Sequence, residues 1–456
     1  MSLTKVTYSM IQGSPVNLLD FGADPTGVND CSAALTAAIA ASNNIYIPAG
    51  EYKFTSTFTV TGSRGLIIQG ESTALTATDT DFAKCTILDF SSIATSTNGL
   101  VFTDFVGLTL KNFKIKLIRP AAGTALYMFT GHDYSLDHVD VDIDADTSGV
   151  GMKFGNGNGA TSTFIGNIKN CKVIANGGTA FFADFGTSLT FQSCYAISGA
   201  MVFSGMAYSS VISCAVDNAP EHAYIIEGSS SMVFDACGAE QAGKSAFYLS
   251  STTSNVIFNA PYGAANNATS DILATDLFYL DSSAGAVNSI TINNPTSIAT
   301  VGGTIYNIFA TANTGFVEVG NTDLSLLPLG IDGDAAWKAA KLTITGFWEK
   351  QTWTPTLVSW TNVGAPTITA NYIKSGRVVN FYVTIVPGTS ISATKNVSLI
   401  TGLPFSGIVL AGSAAMVDGN TTSYGDCAIN SNGVISMQTS GVLSVSITLV
   451  GTLILN

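Results

Sequence analysis

Two acidic residues stand at equivalent positions in a duplicated stretch of the sequence. The segment from Ser209 to Ser251 consists of two matching halves, and each half carries a carboxylate three residues after a cysteine, namely Asp217 and Glu240. Cleavage of a glycosidic bond uses such a pair, because one acid protonates the leaving oxygen while the other acts as nucleophile or activates water. The alternative is a structural repeat whose acids are only solvated, so the placement of both side chains by the fold decides between them.

The repeat extends beyond these two halves and predicts the fold. Four segments align on cysteines spaced by 23, 20 and 23 residues, with apolar residues three positions before and two after each cysteine. These cysteines are Cys171, Cys194, Cys214 and Cys237. Short β-rich segments with Gly, Asn and Ser at the corners and a period near 25 indicate a parallel β-helix, a single-stranded solenoid with one coil per repeat. A β-propeller would repeat every ~40–45 residues.

In such a solenoid the aligned cysteines stack inside successive coils as small buried thiols. A second recurring string of apolar residues predicts a parallel stack of aromatic side chains in the same interior. Its members are Phe181, Tyr224, Phe247, Phe278 and Tyr306.

The alternation of a β-strand places the two acids on the outside. The residue two after each cysteine packs inward, so the residue three after it faces outward. Successive coils read Ile174, Ile197, Asp217, Glu240 and Ala264 in that column. Asp217 and Glu240 are therefore expected in adjacent coils with Cα atoms about 5 Å apart, where like charges favour protonation of one of them.

Other polar residues of the same two coils complete the predicted site. Glu227 and Asp235 are further candidates for the catalytic acids. Glu221, His222, Tyr224 and Lys244 are predicted to bind the substrate. A lyase would instead need a cation to neutralise a uronate and a Tyr, Lys or His base, for which Tyr224, His222 and Lys244 form the one compact set.

A denser run of acids lies in the segment "LDHVDVDIDAD". Its alternation predicts that Val139, Val141 and Ile143 face inward. The acids Asp137, Asp140, Asp142, Asp144 and Asp146 would then face outward. Such a run can bind calcium or sugar hydroxyls, but a solvated strand face is the favoured interpretation.

Composition limits the classes of function. The formal charge of −13 argues against a nucleic-acid partner, which requires basic grooves. No apolar run of about 18 residues is present, so no membrane insertion is expected. Seven dispersed cysteines without a CxxC pair and three histidines indicate neither zinc nor a disulfide framework. We therefore expect no cofactor and no metal.

The N-terminal stretch "VNLLDFGADPTGVNDCSAALTAAIAASNNIYIPAGEYKF" resembles the opening of the pectate-lyase-like β-helices of bacteriophage tailspikes and tail-fibre depolymerases. The matching elements are Asp20-Phe-Gly-Ala-Asp-Pro-Thr-Gly and Ile45-Tyr-Ile-Pro-Ala-Gly-Glu-Tyr. A helix from about Ser32 to Ala41, capped by Asp30, is expected to close the open end of the solenoid. Asp20, Asp24 and Asp30 are interpreted as structural.

After Phe316-Val-Glu-Val the coils fade, and alternating hairpin-like strands begin at Phe347. We predict an N-terminal arm over 1–15, a β-helix over 16–324, a linker over 325–346, and an antiparallel β-sandwich over 347–456 for carbohydrate binding or trimerisation. Trp353, Trp360 and Tyr372 are expected to fill the sandwich core or an interface more readily than to stack on sugars.

The resemblance implies an all-β protein with a right-handed parallel β-helix, acting in a phage virion at the extracellular surface of the host. It implies an endo-acting glycoside hydrolase that binds and depolymerises capsular or O-antigen polysaccharide. It also implies a homotrimer attached through its N-terminus to other tail or baseplate proteins. The alternatives are a polysaccharide lyase on the same fold and a receptor-binding fibre without activity.

Overall fold

The structure, a computed structural model, describes most of the chain. The described residues are 14–73, 84–118, 123–143, 149–266, 277–298, 307–320, 331–333, 341–345, 351–375, 378–402, 408–410, 413–418, 423–429, 434–438, 441–443 and 447–455. They form two compact units, the second of which consists of Val319–Leu324 and Thr343–Asn456.

The first unit is a right-handed parallel β-helix built from three ladders of parallel strands. The first ladder comprises Phe58–Thr61, Leu100–Val106, the start of Thr124–Asp142, Val150–Phe154, Thr179–Asp184, Ala200–Ser204, Tyr224–Glu227, Phe247–Ser250, Phe278–Leu280, Ile308–Ala310 and Ile331–Gly333. The second comprises Val16–Asn17, Asn44–Ile47, Ile67–Gly70, the start of Thr109–Lys116, the middle of Thr124–Asp142, Thr163–Lys169, Thr187–Gln192, Ser210–Ile212, Ser230–Asp235, Ser254–Asn259 and Asn288–Asn293. Its parallel pairing continues in Val317–Gly320 and Leu342–Thr345, two strands whose residues are divided between the two units. The third comprises Thr26–Asp30, Gly50–Lys53, Thr86–Asp89, the end of Thr109–Lys116, the end of Thr124–Asp142, Lys172–Ile174, Tyr195–Ile197, Ala215–Asp217, Gly238–Glu240, Tyr262–Ala264 and Thr296–Ile298.

Parallel pairing continues past residue 324, the predicted end of the β-helix. Ile331–Gly333 lies in the segment predicted as a linker, yet it pairs in parallel register with Ile308–Ala310. The parallel pairing therefore extends into that segment. The exact ends of the predicted domains remain predictions.

The interior of the solenoid contains the predicted cysteine stack and the central part of the predicted aromatic stack, while Met201 separates Phe181 from Tyr224. Cys171, Cys194, Cys214 and Cys237 are free thiols that are at most 2% exposed, which confirms the cysteine ladder. The rings of Tyr224 and Phe247 stack with centroids 4.8 Å apart, and those of Phe247 and Phe278 stack at 4.9 Å. The position next in register after Phe278 is Ile308, and the predicted member Tyr306 lies outside the described residues.

A helix covers the N-terminal end of the coils, with the predicted bounds Ser32–Ala41. Its residues Leu35 and Ala38 are fully buried and face the coils. The predicted cap was wrong, because the N-cap residue is Cys31 and makes no side-chain capping bond. Asp30 Oδ1 instead accepts hydrogen bonds from the Ser32 hydroxyl and the Thr55 amide.

Asp24 has a structural role in the turn before this helix. Its carboxylate accepts four hydrogen bonds, from the amide and hydroxyl of Thr26 and from the backbone and side-chain nitrogens of Asn29. These bonds, the Thr26 hydroxyl first, hold the pKa of Asp24 well below its ordinary value of 3.8.

A pH-dependent loss of stability follows from Asp24. A carboxyl group with a lowered folded-state pKa stabilises the fold above its unfolded pKa, and this contribution is lost as the pH falls towards the folded value. We expect Asp24→Asn to lower the midpoint of thermal unfolding at pH 7, with a difference from the wild type that shrinks as the pH falls below about 4. Calorimetry between pH 7 and pH 3 measures this, and a difference independent of pH would contradict it.

The second unit is an antiparallel β-sandwich. Its described strands are Gln351–Trp353, Thr356–Val358, Thr361–Val363, Thr367–Ser375, Val378–Val386, Ser390–Ala393, Leu399–Thr401, Ile408–Leu410, Ser413–Asp418, Ser423–Ile429, Ile435–Met437, Gly441–Leu443 and Ile447–Leu455. Trp353, Trp360 and Tyr372 pack against the core of this unit, in agreement with the favoured interpretation. The Trp360 indole also donates a hydrogen bond to the Leu399 carbonyl at 3.0 Å.

Candidate functional site

The two acids of the duplicated segment are register partners in the third ladder. Asp217 lies directly opposite Glu240, and the column continues to Ile197 on one side and Ala264 on the other, as predicted. Adjacent parallel strands lie about 4.8 Å apart, so the two carboxylates project from neighbouring rungs. Asp217 is half-buried and Glu240 is exposed.

The backbone fixes these positions at a corner of each coil. Each acid is the last residue of its strand, and the next residue has a left-handed conformation, with φ of 57° at Asn218 and 55° at Gln241. The Asn218 amide donates to the Glu240 carbonyl at 2.9 Å, so the corners of the two coils are hydrogen-bonded to each other. This bond fixes the register that brings the acids together.

The acid column differs from the rest of the same ladder. In the N-terminal coils it alternates in charge, and its register partners in order are Asp30, Lys53, Asp89, Lys116 and Asp142. Two isoleucines follow, Ile174 and Ile197, and then the two acids. In the first part of the column a lysine therefore lies between successive acids. The Asp217–Glu240 pair instead has an aliphatic residue on either side, Ile197 and Ala264.

Tyr195 is a member of the site that sequence reasoning missed. It begins its strand one residue after Cys194, and its hydroxyl donates a hydrogen bond to Asp217 Oδ2 from the preceding coil. Burial, with the hydrogen bond to Asp217 and the charge of Glu240, raises the pKa of Tyr195 to about 12. The available signal was the outward column one residue after each cysteine, which reads Lys172, Tyr195, Ala215, Gly238 and Tyr262.

The predicted substrate-binding residues Glu221, His222 and Lys244 lie at the corners that follow the acid strands. Lys244 forms an ion pair with Glu221. The His222 ring stacks on Tyr248 with centroids 4.3 Å apart, and its Nδ1 accepts the Ser245 amide at 3.2 Å. The imidazole is thus oriented by the neighbouring coil, and all three residues contact groups of adjacent coils.

Tyr224 must be removed from the predicted substrate-binding residues. Its side chain is fully buried, and its hydroxyl donates to the carbonyls of Cys214 and Gly238 inside the coil. Burial raises its pKa well above the ordinary value. The aromatic-stack interpretation of Tyr224 is the one that the structure confirms.

The two further candidate acids lie on other ladders. Glu227 ends a strand of the first ladder, and its Oε1 lies 3.4 Å from the Ser250 hydroxyl, which donates to it. Asp235 ends a strand of the second ladder and is exposed, as predicted. Neither is a register partner of Asp217 or Glu240, so the structure pairs only the first two candidates.

The acidic run of the earlier coils is a solvated strand face only in part, because the Asp137 side chain is 46% exposed whereas Asp140 and Asp142 are buried. Asp140 and Asp142 are only 6% and 4% exposed. Asp142 Oδ2 lies 3.0 Å from Lys114 Nζ, and Asp140 Oδ1 accepts the Lys172 amide at 3.1 Å. Burial raises the pKa of Asp140 above its ordinary value. Asp144 and Asp146 lie outside the described residues.

Neither a metal cluster nor a membrane helix is found in the described part of the chain. No group of three or more His, Cys, Asp or Glu side chains there is arranged to hold a metal ion. Likewise, none of the described helices is both long and apolar enough to cross a membrane.

Part of the solenoid matches a known protein family. Residues 15–223 match the family described as rhamnogalacturonase A/epimerase, pectate lyase-like. No curated protein matches the sequence.

Two solved structures are similar to the chain in fold. The tailspike gp42 of Acinetobacter phage vb_AbaP_AS12 is 12% identical, with 92% of this chain and 82% of that chain covered and a TM-score of 0.52. The catalytic domain of Agl-KA is 13% identical, with 74% and 69% covered and a TM-score of 0.50. The chain thus carries a pectate-lyase-like right-handed parallel β-helix and resembles bacteriophage tailspikes.

Proposed function

We propose that the protein depolymerises a bacterial surface polysaccharide, capsule or O-antigen, by endo-acting hydrolysis of glycosidic bonds. The observation that carries this proposal is the register pairing of Asp217 with Glu240 on the outside of the solenoid, flanked by Ile197 and Ala264. Two acids on neighbouring rungs supply the proton donor and the nucleophile that the reaction needs.

The spacing of the pair favours retention of configuration. Carboxyl groups about 5–5.5 Å apart act as nucleophile and acid, whereas about 6.5–9.5 Å leaves room for an attacking water. Adjacent rungs place the backbones of the two acids about 4.8 Å apart, and side chains that leave these rungs in parallel would keep the shorter separation. Proton NMR of the first product formed should therefore show the anomeric configuration of the substrate.

A lyase is less well supported by the groups present. β-Elimination needs a base and a cation for the uronate. Lys244 is engaged with Glu221, and Tyr224 is buried inside the coil. Tyr195 keeps its proton at neutral pH because its pKa is raised to about 12. A fibre that only binds polysaccharide would use the same acids as acceptors of sugar hydroxyls.

One assay separates the three possibilities. The full chain is incubated with a panel of purified capsular and O-antigen polysaccharides. A rise in reducing ends without ultraviolet absorbance supports hydrolysis, and absorbance from unsaturated sugars supports elimination. Binding to the polysaccharide without either product would support a non-catalytic fibre.

The resemblance to tailspikes supports a place in the phage virion, acting at the extracellular surface of the host. In this proposal the N-terminal arm joins the protein to other tail or baseplate proteins. The β-helix presents the acid pair to polysaccharide.

We further propose a homotrimer. An outward column of the first ladder consists of half-buried apolar and aromatic side chains on successive coils, interrupted by Lys153. Its apolar members are Tyr127, Phe182, Val202, Ile225, Tyr248, Tyr279 and Phe309. From Phe182 to Phe309 the column is apolar on every described rung, and a column of this length provides a lateral surface for association.

Light scattering should give a mass of about 141 kDa, three times the 47.1 kDa of the chain. Ile225→Asp places a charge in the apolar column and should shift the mass towards that of one chain. Ile257→Asp changes an outward isoleucine of the second ladder and should not shift it. A monomeric wild type at micromolar concentration would rule out this assembly.

A further inference from the structure

Tyr195 contacts one acid of the pair and thereby makes the two acids inequivalent. Its ring projects from the coil that precedes Asp217, and its hydroxyl donates to Asp217 Oδ2. This bond uses one of the two carboxylate oxygens and leaves Oδ1 for another partner. Glu240, on the far side of Asp217 from Tyr195, is the more exposed of the two acids.

The direction of the hydrogen bond, from the Tyr195 hydroxyl to Asp217 Oδ2, fits a carboxylate that acts as nucleophile. A hydroxyl donor stabilises a carboxylate more than it stabilises the protonated acid, because the bond to the charged form is stronger. Tyr195 acts as the donor at neutral pH, since its own proton is held tightly beside Asp217. With Asp217 held in this way, Glu240 on the next rung is the group left for the role of acid and base.

We infer that Tyr195 is a positioning residue that holds Asp217 as the charged nucleophile and leaves Glu240 as the acid and base. This inference rests on the proposed hydrolytic function. It extends that function by giving each acid one role and by adding a residue that acts through Asp217.

The roles define a balanced reaction. Asp217 Oδ1 forms a bond to the anomeric carbon while the bond from that carbon to the leaving oxygen breaks, and Glu240 transfers its proton to the leaving oxygen. Water then attacks the anomeric carbon and gives a proton to Glu240. The bond to Asp217 breaks in this second step, so both acids return to their starting states.

The test is Tyr195→Phe, which removes only the hydroxyl, assayed on the polysaccharide of the panel that the wild type cleaves. We expect kcat to fall about tenfold, since the lost bond is to a charged group, with KM little changed. The acidic limb of the pH profile of kcat/KM should move to higher pH. Tyr262→Phe, in the same outward column, is the matched control and should leave both unchanged. An unchanged pH profile in Tyr195→Phe would overturn the inference.

Chemical rescue tests the assigned roles. Asp217→Gly with added azide should regain cleavage and form a glycosyl azide of inverted configuration, because azide replaces the missing nucleophile. Glu240→Gly retains the nucleophile and should form no inverted azide. The reverse pattern would assign the roles the other way and would contradict the inference.

A measurement without substrate tests the hydrogen bond itself. In protein labelled with carbon-13 at the tyrosine ring, the Tyr195 signal is identified by its loss in Tyr195→Phe. It should remain that of the protonated ring up to about pH 11 in the wild type and should titrate at lower pH in Asp217→Asn. Asp104→Asn, which changes a surface acid paired with Arg64, is the control.

The outcomes distinguish a failure of the proposed hydrolytic function from a failure of the role inferred for Tyr195. If Asp217→Asn and Glu240→Gln both cleave normally, the proposed function fails at this site. If both lose activity while Tyr195→Phe behaves as the wild type, the acid pair stands and only the role of Tyr195 is refuted. Equal titration of Tyr195 in the wild type and in Asp217→Asn would also refute it.

Discussion

Replacing Glu240 by glutamine should lower the rate of polysaccharide cleavage by a factor of about 100 to 10,000, and Asp217→Asn should have an effect of similar size. Each amide keeps the shape of the side chain but removes its charge and its capacity to transfer a proton. Reducing-end production under saturating polysaccharide measures the loss. Binding to the same polysaccharide should persist, because the outer surface is otherwise unchanged.

The folded state of these variants provides the first control. The solenoid depends on inward residues such as the cysteine ladder, so thermal unfolding and oligomeric mass should match the wild type. Asp104→Asn, an exposed acid 3.1 Å from Arg64, should retain full activity. Wild-type cleavage by Glu240→Gln would place the active site elsewhere, and Glu227 and Asp235 would be the next acids to replace.

Lys114→Met should reduce the free energy of unfolding by about 3–5 kcal/mol, because it leaves the carboxylate of Asp142 buried without its closest cation. The side chains of this pair are only 8% and 6% exposed, and Nζ lies 3.0 Å from Oδ2. Urea denaturation at one fixed protein concentration measures the change. The double variant Lys114→Met/Asp142→Leu should regain most of it, since no unpaired charge then remains.

A surface ion pair of the same length is the matched control for Lys114. Arg64 and Asp104 lie 3.1 Å apart, but their side chains are 54% and 57% exposed. Solvent screens such a pair, so Arg64→Met should cost no more than about 1 kcal/mol. Equal losses in the two single variants would show that burial does not govern the Lys114–Asp142 pair.

The sequence was sufficient to place the acid column because the relevant signals are local. Strand alternation around each cysteine determines which residues face outward, and the repeat length determines which coils are neighbours. Both signals persist when insertions change the length of the corners. The predicted position of Ala264, which aligned only loosely, is therefore also correct, since it lies opposite Glu240.

Contacts between side chains of different coils could not be predicted from strand alternation and repeat length. Alternation correctly turned Asp140 and Asp142 outward, but it could not show that lysines about 30 residues away in sequence would cover them. Tyr195 was missed for the same reason, since its partner Asp217 is 22 residues away. Tyr224 was assigned to two environments, and its burial and its register beside Phe247 show that the interior is correct.

The alternating charges of the third ladder restrict how the solenoid can change in length. From Asp30 to Asp142 each rung faces a rung of opposite charge. Deleting a single coil, or adding one, would place two like charges on neighbouring rungs, whereas the addition or loss of two coils would preserve the order. Single-coil insertions or deletions inside the N-terminal half are therefore disfavoured by charge repulsion, whereas the coils around Asp217 and Glu240 have no charge alternation to disrupt.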